Sequence, residues 1–303
     1  MLTVVVPVYN ESGNIKELFH QVCRELASEK FELIFVNDGS TDHSLEVIKE
    51  MAALDSRVRF VSLSRNFGHQ SALRAGLEHA KGDAIISMDA DMQHPPNIMP
   101  KLIAKWREGN EIVYTTRQDS QDSGLLKRLL SRFFYTFASK ISGIKLEPGT
   151  ADFRLIDAKI LSVLNNFKES NLFYRGIIPW IGFKKVAVPY QADARFSGKS
   201  KYSLIRMFRL ALVGLSFHSV RPLYVAVALG LMMCFFSLLY AGYAVYMHFV
   251  MKDTVSGWTS LVILHTFLGG VQLVVLGFVG HYIGQISENI KARPNYIVAE
   301  KNF

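Results

Sequence analysis

Cysteine is nearly missing from this chain: Cys23 and Cys234 are the only two among 303 residues. That excludes a disulfide framework and a four-thiolate zinc site, and it fits a chain folded where thiols stay reduced. Charge is scarce too, at 20% Asp, Glu, Lys and Arg against 50% hydrophobic residues, with a positive mean hydropathy. Disorder and fibrous repeats are excluded, and the composition is greasy for a soluble enzyme, which puts part of the chain in lipid. Acids fall short of bases, 26 against 34, for a net charge of +8. That balance admits nucleic acid, anionic lipid or a phosphorylated substrate as partner, so the location of the charge has to decide.

The longest absences are of charge itself. Pro222 to Met251 contains no Asp, Glu, Lys or Arg, and after Lys252-Asp253 the same holds from Thr254 to Ser287. Each stretch exceeds the ~20 apolar residues that a bilayer-spanning helix needs. Buried core helices are the alternative, but globular helices carry a polar face and these have little of one. The pattern predicts two transmembrane helices, about 222–251 and 258–287. Glycines at 230, 242, 269, 270, 277, 280 and 284 permit close helix contact, within the hairpin or between subunits of a homo-oligomer.

Basic residues orient the hairpin. Arg195, Lys199, Lys201, Arg206, Arg209 and Arg221 precede it with no acid between Ala194 and Arg221, and Lys291 and Arg293 follow it. The connecting turn offers only Lys252, so both termini are expected on the cytoplasmic side of an inner membrane. The N-terminus lacks a basic region before its short apolar run and reads as a first strand, not as a cleaved signal.

Residues 1–193 alternate β-branched runs with amphipathic stretches, the rhythm of an α/β domain on a parallel sheet. Strands are expected at 2–6, 32–37, 58–63, 84–88 and 111–115, with helices over 13–28, 42–54, 70–80 and 97–107. Residues 194–221 are expected to form a juxtamembrane amphipathic helix and 288–303 a cytoplasmic tail. Leu125 to Ile141 and Tyr202 to Phe217 are apolar with basic residues at helical intervals and no acid, which suits helices lying in a membrane interface. A core helix with solvated arginines is the alternative.

In an open parallel sheet, ligands bind beyond the carboxyl ends of the strands. Three polar clusters fall there: Pro7 to Glu11 after the first strand, Asn37 to Asp42 after the second and Asp89 to His94 after the fourth. One such cluster could be turns and caps, but three at one edge point to a site. Asp89 and Asp91, one residue apart at an apolar strand's end, concentrate negative charge that a hard divalent cation would neutralise. A carboxylate dyad sharing a proton is the alternative, and capping of the next helix would explain one of the two aspartates. Gly198-Lys199-Ser200 resembles the end of a P-loop, but Asp193 replaces the earlier glycine and no strand leads in. No dinucleotide-binding glycine fingerprint follows a strand, and the nine histidines lack zinc-site spacing. Of these histidines, only His94 falls in an expected site.

The runs V-V-V-P-V-Y-N-E, V-N-D-G-S-T-D, S-R-N-F-G-H-Q-S-A-L-R-A-G and D-A-D-M-Q-H-P-P resemble the family 2 glycosyltransferases, which have a GT-A fold. D-F-R-L-I-D at 152–157, N-L-F-Y-R-G-I-I-P-W-I-G at 171–182, R-F-S-G-K-S-K-Y at 195–202 and K-A-R-P-N-Y-I-V at 291–298 narrow the resemblance to the polyprenyl-phosphate branch, of the bactoprenol glucosyl transferase and dolichyl-phosphate mannose synthase type.

The resemblance implies that Pro7, Tyr9, Glu11 and Asp38 line a nucleotide pocket, with Asp38 accepting an N–H from the base edge. Asp89 and Asp91 would hold Mg²⁺ or Mn²⁺ against a diphosphate, with Gln93 beside them. Asp152 would lie near the transfer point, and Arg117, Lys127, Arg128, Ser131, Arg195 and Lys199 would reach an acceptor phosphate. The absence of Q-x-x-R-W, the mark of processive synthases in this family, favours a single transfer. The reaction so implied is inverting transfer from a nucleotide sugar, UDP-glucose first, to a polyprenyl phosphate such as undecaprenyl phosphate in the lipid bilayer, with no nucleic acid involved. The rivals are a transferase using GDP-mannose and a non-catalytic nucleotide-sugar-binding membrane protein.

Overall fold

The computed structural model describes residues 1–118, 150–167, 169, 174–191, part of 230–250 and 257–303. The elements in chain order are β1 (Leu2–Val8), α1 (Ile15–Glu25), β2 (Phe31–Asn37), α2 (Ser44–Leu54), β3 (Val58–Leu63), α3 (His69–His79), β4 (Ala84–Ser87), α4 (Met99–Arg107) and β5 (Ile112–Gln118). They are followed by β6 (Thr150–Asp157), α5 (Ala158–Asn165), α6 (Tyr174–Trp180), β7 (Lys185–Gln191), α7 (Trp258–Ile290) and β8 (Val298–Lys301). The eight strands form one sheet in the order β7-β5-β6-β4-β1-β2-β3-β8.

The expected parallel sheet is correct for its centre and for the edge pair β5 and β7. β4, β1, β2 and β3 are parallel, whereas β6 runs antiparallel to both β4 and β5, and β8 runs antiparallel to β3. β8 pairs with β3, a strand far away in sequence, so no βαβ crossover between them imposes the parallel direction. The central strands are almost wholly buried and read as continuous apolar runs because helices cover both faces. Their side chains still divide by alternation. Val4, Val6, Leu33 and Phe35 join one core with α1 and α4, while Val5, Ile34 and Val36 join the opposite core with α3 and α5. Gly76 lets α3 lie against β1, since a Cβ there would meet Val5 Cγ1 at 2.2 Å.

From β1 the chain steps outward to β2 and β3, then returns to the other side of β1 as β4. This reversal is a topological switch point, where the covering helices change face and a crevice opens. β1 continues past β4: the register ends at Val5↔Ser87, and Met88 N–H donates to Val5 C=O at 3.1 Å. Pro7, which has no N–H to give, therefore sits where β1 no longer has β4 beside it.

Helix α7 has 33 residues and is exposed along its apolar surface, with Leu261, Phe267, Leu273, Leu276, Ile283 and Ile290 all more than half exposed. Among the described residues one helical stretch, Phe267–Ile290, is long and apolar enough to cross a membrane. It coincides with the second expected span. The first, 222–251, is described only at scattered helical positions from 230 onward, so the two-helix hairpin is not established. The amphipathic stretches 125–141 and 202–217 lie outside the described residues. Residues 298–301, within the stretch expected as a cytoplasmic tail, form the edge strand β8.

Candidate active site

The four parallel strands end at a common edge, and each end delivers a polar segment. After β1, Asn10 adopts a left-handed backbone (φ 56°), and its side-chain oxygen accepts the Thr41 N–H at 2.8 Å. Glu11 N–H donates to Ser44 Oγ at 3.0 Å and Ser12 N–H to Asp42 Oδ2 at 3.2 Å, so the first two segments are laced together. Pro7 is buried, Tyr9 is exposed, and the Glu11 carboxylate accepts from Asn14 Nδ2 at 2.6 Å.

Asp38, after β2, is 3% exposed, and its two oxygens accept the backbone N–H groups of Phe67 at 2.7 Å and Gly68 at 3.0 Å. Burial pushes its carboxyl pKa up, against the two N–H groups, which pull it down. The geometry thus gives Asp38 the task of holding the β3–α3 loop, in addition to the base contact that the resemblance implies. Gly39 (φ 63°) lies directly against that loop: a Cβ there would meet Arg65 C at 2.4 Å and Asn66 N at 2.5 Å.

After β4, Asp89 N–H donates to His94 Nδ1 at 3.0 Å, and Asp91 Oδ1 accepts the Gln93 N–H at 3.1 Å. These bonds close a turn in which Met92 holds a left-handed backbone (φ 61°), a local strain of the kind found at functional sites. Neither aspartate caps a helix, since the 3₁₀ turn Pro96–Ile98 and α4 have no side-chain cap. That removes the capping alternative. His94 is buried, stacked on Phe153 at 5.4 Å between ring centroids and edge-on to Tyr190 at 6.2 Å. It therefore fixes the turn from beneath.

The antiparallel register Ser87↔Arg154 carries Asp152 of β6 to the level of Asp89. Asp152 Oδ1 accepts from Arg154 Nη2 at 2.6 Å, with both side chains under 5% exposed, and Arg154 Nη1 donates to Tyr174 C=O at 3.3 Å. The structure thus brings Asp89 and Asp152 together, and between them it places a residue that the sequence reading missed. His69 Nε2 is 3.5 Å from both Asp89 Oδ1 and Asp152 Oδ2. The signal was there, because β3 ends at the same edge and Ser64 to His69 is a fourth polar segment. Arg117 lies on β5, in register with Tyr190 of β7. Lys127, Arg128, Ser131, Arg195 and Lys199 lie outside the described residues.

Whether this edge suits a divalent cation rests on its donor set. Asp89 Oδ1 is fully covered and accepts no hydrogen bond among the described residues, with His69 Nε2 3.5 Å away, and Asp91 adds a second hard carboxylate two residues on. Among the described residues no cluster of three ligating side chains occurs, so substrate oxygens and water would complete the shell, as Mg²⁺ commonly requires. The residues fit.

A sheet of this order, with paired carboxylates beyond the strand that follows the switch point, is the GT-A α/β fold. Residues 3–164 match the family described as Glycosyl transferase family 2, and the chain belongs to it. It is 39% identical over 298 residues to the uncharacterized glycosyltransferase YkcC of Bacillus subtilis, covering 98% of this chain and 92% of that one. It is 38% identical to the SfII prophage-derived bactoprenol glucosyl transferase of Shigella flexneri, covering 99% and 98%. Among solved structures, glucosyl-3-phosphoglycerate synthase of Mycobacterium tuberculosis with phosphoglyceric acid superposes with a TM-score of 0.51 at 20% identity, covering 73% and 79%. A structure of the same enzyme with Mg²⁺ and uridine diphosphate gives 0.50, at 18% identity, covering 71% and 77%.

Proposed function

We propose that the chain transfers one sugar from a nucleotide sugar, UDP-glucose, to a polyprenyl phosphate, undecaprenyl phosphate, at the cytoplasmic membrane face. The observation that carries this reading is the likeness to bactoprenol glucosyl transferases along essentially the whole length of both chains. The meeting of Asp89, Asp152 and His69 at the sheet edge supports it.

In this reading the nucleotide lies across the ends of β1 and β2, against Pro7, Tyr9, Glu11 and Asp38. Asp89 and Asp91 hold Mg²⁺ or Mn²⁺, which when bound supplies positive charge to the leaving diphosphate. Asp152 is oriented by Arg154 in a buried pair, which fixes its carboxylate at the reacting centre. A sugar hydroxyl as acceptor would need a general base. A phosphate monoester has a second pKa near ~6 and is already mostly dianionic at neutral pH, so its oxygen attacks the anomeric carbon directly as the bond to the diphosphate breaks. Inversion follows from that single displacement. Asp152 then orients the groups without removing a proton, and Gln93 flanks the diphosphate.

The membrane parts serve the same chemistry. The acceptor phosphate sits at the bilayer surface, so the sheet edge has to lie close to it. Seven residues, Lys291 to Ile297, join α7 to β8, and their fully extended reach is at most ~25 Å. Arg117, Lys127, Arg128, Ser131, Arg195 and Lys199 draw in and hold the anionic phosphate, while the acid-poor helices lie on anionic lipid. Both termini face the cytoplasm, and the glycine-rich spans allow self-association.

The test is release of nucleoside diphosphate by the purified chain in detergent, with Mg²⁺ or Mn²⁺, across UDP-glucose, UDP-N-acetylglucosamine and GDP-mannose. Release that requires polyprenyl phosphate and is not elicited by polyprenol supports the reading. Release that polyprenol supports equally would overturn the phosphate acceptor. Binding of a donor without release under any condition would make the chain a non-catalytic binder.

A further inference from the structure

The carboxyl-terminal segment is fastened to the sheet beside the candidate active site by more contacts than an edge strand needs. Ser62 pairs with Glu300 and Leu63 with Val298 across β3 and β8. Asn302 accepts the Phe60 N–H at 2.8 Å and donates to Val58 C=O at 3.3 Å. Phe303 packs edge-on against His79 of α3 at 5.5 Å, beneath the guanidinium of Arg59 at 5.1 Å. The Tyr296 hydroxyl donates to Glu78 of α3, whose other oxygen accepts from Arg74 Nε at 2.7 Å. Arg74 in turn donates to the carbonyls of Phe167 and Glu169. One short segment thus grips both the strand and the helix that flank the β3–α3 loop.

The loop itself is held at each point along its length. Its first residue, Ser64, donates its N–H to the Ile297 carbonyl at 2.9 Å. Its middle, Arg65 and Asn66, rests on Gly39. Its end donates two N–H groups to Asp38, and the next residue, His69, reaches Asp89 and Asp152. The first of these anchors comes from residues 296–303, which follow helix α7 after a short linker.

We infer that residues 296–303 are a positioning strap, which holds the β3–α3 loop and His69 in the arrangement that receives the nucleotide sugar and ties that arrangement to the end of the membrane helix. The role of the loop in donor binding rests on the function proposed above, whereas the mechanical part does not. Without the Ile297 carbonyl and the Tyr296–Glu78 bond, the start of the loop loses its anchor and a backbone N–H there loses its partner, while Asp38, Gly39 and His69 still hold its middle and end. Segments with few such restraints open locally while the core stays closed.

The experiment uses the full chain in detergent, a variant ending at Asn295, and the milder variants Tyr296→Phe and Asn302→Ala. Amide hydrogen exchange is followed by mass spectrometry, and donor binding is titrated with UDP-glucose and Mg²⁺. The expected result is faster exchange in peptides covering 64–70 than in those covering β1, β2 and β4, which stay protected. Donor affinity falls about three- to thirtyfold in the truncated chain, the range of one or two lost hydrogen bonds. A synthetic peptide of residues 294–303 added in trans restores both. If exchange rose equally across the whole sheet, in the milder variants as in the truncation, the segment would be a general stabiliser and the inference would fail. Unchanged exchange at 64–70 would also overturn it. Faster exchange at 64–70 with no change in donor binding would leave the strap in place and refute the assignment of the loop to the donor site.

Discussion

At the residue scale the two aspartates of the D-A-D run and Asp152 should respond differently to substitution. Asp91 is half-buried and makes one local bond, to the Gln93 N–H. Asp91→Asn should leave the thermal unfolding midpoint within a degree or two of the parent while abolishing transfer and metal-dependent donor binding, since the amide keeps the shape and loses the charge. Near-normal turnover with an unchanged metal requirement would remove Asp91 from the ligand set. Asp152→Ala leaves Arg154 charged and buried, which costs about 3–5 kcal/mol, so denaturant unfolding should move strongly as well as activity. Gly39→Ala places a methyl group into the Arg65–Asn66 backbone at a left-handed position. A loss of about 1–3 kcal/mol is expected, together with weaker donor binding, both measurable on the same preparation. Asp89 and Asp91 were legible in the sequence because two carboxylates in x-D-x-D spacing end an apolar strand. For His69 the sequence offered only its place in a polar segment after β3, and the tertiary meeting of β3's end with β4 and β6 is what gives it partners 3.5 Å away.

At the element scale the strands that alternate with helices were the readable ones. β3 was expected at 58–63 and occupies Val58–Leu63, and β2 begins one residue earlier than expected, at Phe31. The antiparallel strands β6 and β8 were hidden because direction in a sheet is set by long-range pairing and leaves no local pattern. β8 is four residues long and reads Val-Ala-Glu-Lys, with no apolar–polar alternation to mark a strand. The end of α7 carries its own signature: Ala292 is left-handed (φ 47°), the position where helices usually place glycine, and Pro294 follows. Ala292→Gly should therefore be neutral or stabilising by up to about 1 kcal/mol, and Ala292→Val destabilising, as read from the unfolding midpoint in detergent. A stabilising valine would mean that the helix continues past Lys291.

At the scale of the whole molecule a soluble-looking α/β sandwich and an exposed apolar helix belong to one chain, and β8 joins them. The proposed topology rests on the basic residues on either side of the expected hairpin. A cysteine at Ser256 in a chain lacking Cys23 and Cys234 should be labelled by an impermeant reagent from outside the cell, and labelling only from the cytoplasmic side would displace the donor site from the cytoplasm. The central claim, a single sugar transferred to a lipid phosphate, is tested most directly by the product. Purified chain, UDP-glucose, Mg²⁺ and undecaprenyl phosphate should yield, in the organic phase, one species whose mass is that of the acceptor plus one hexose residue. It should retain its phosphate and release the sugar on mild acid treatment. A ladder of hexose additions, or sugar found only in the aqueous phase as free glucose, would contradict the account.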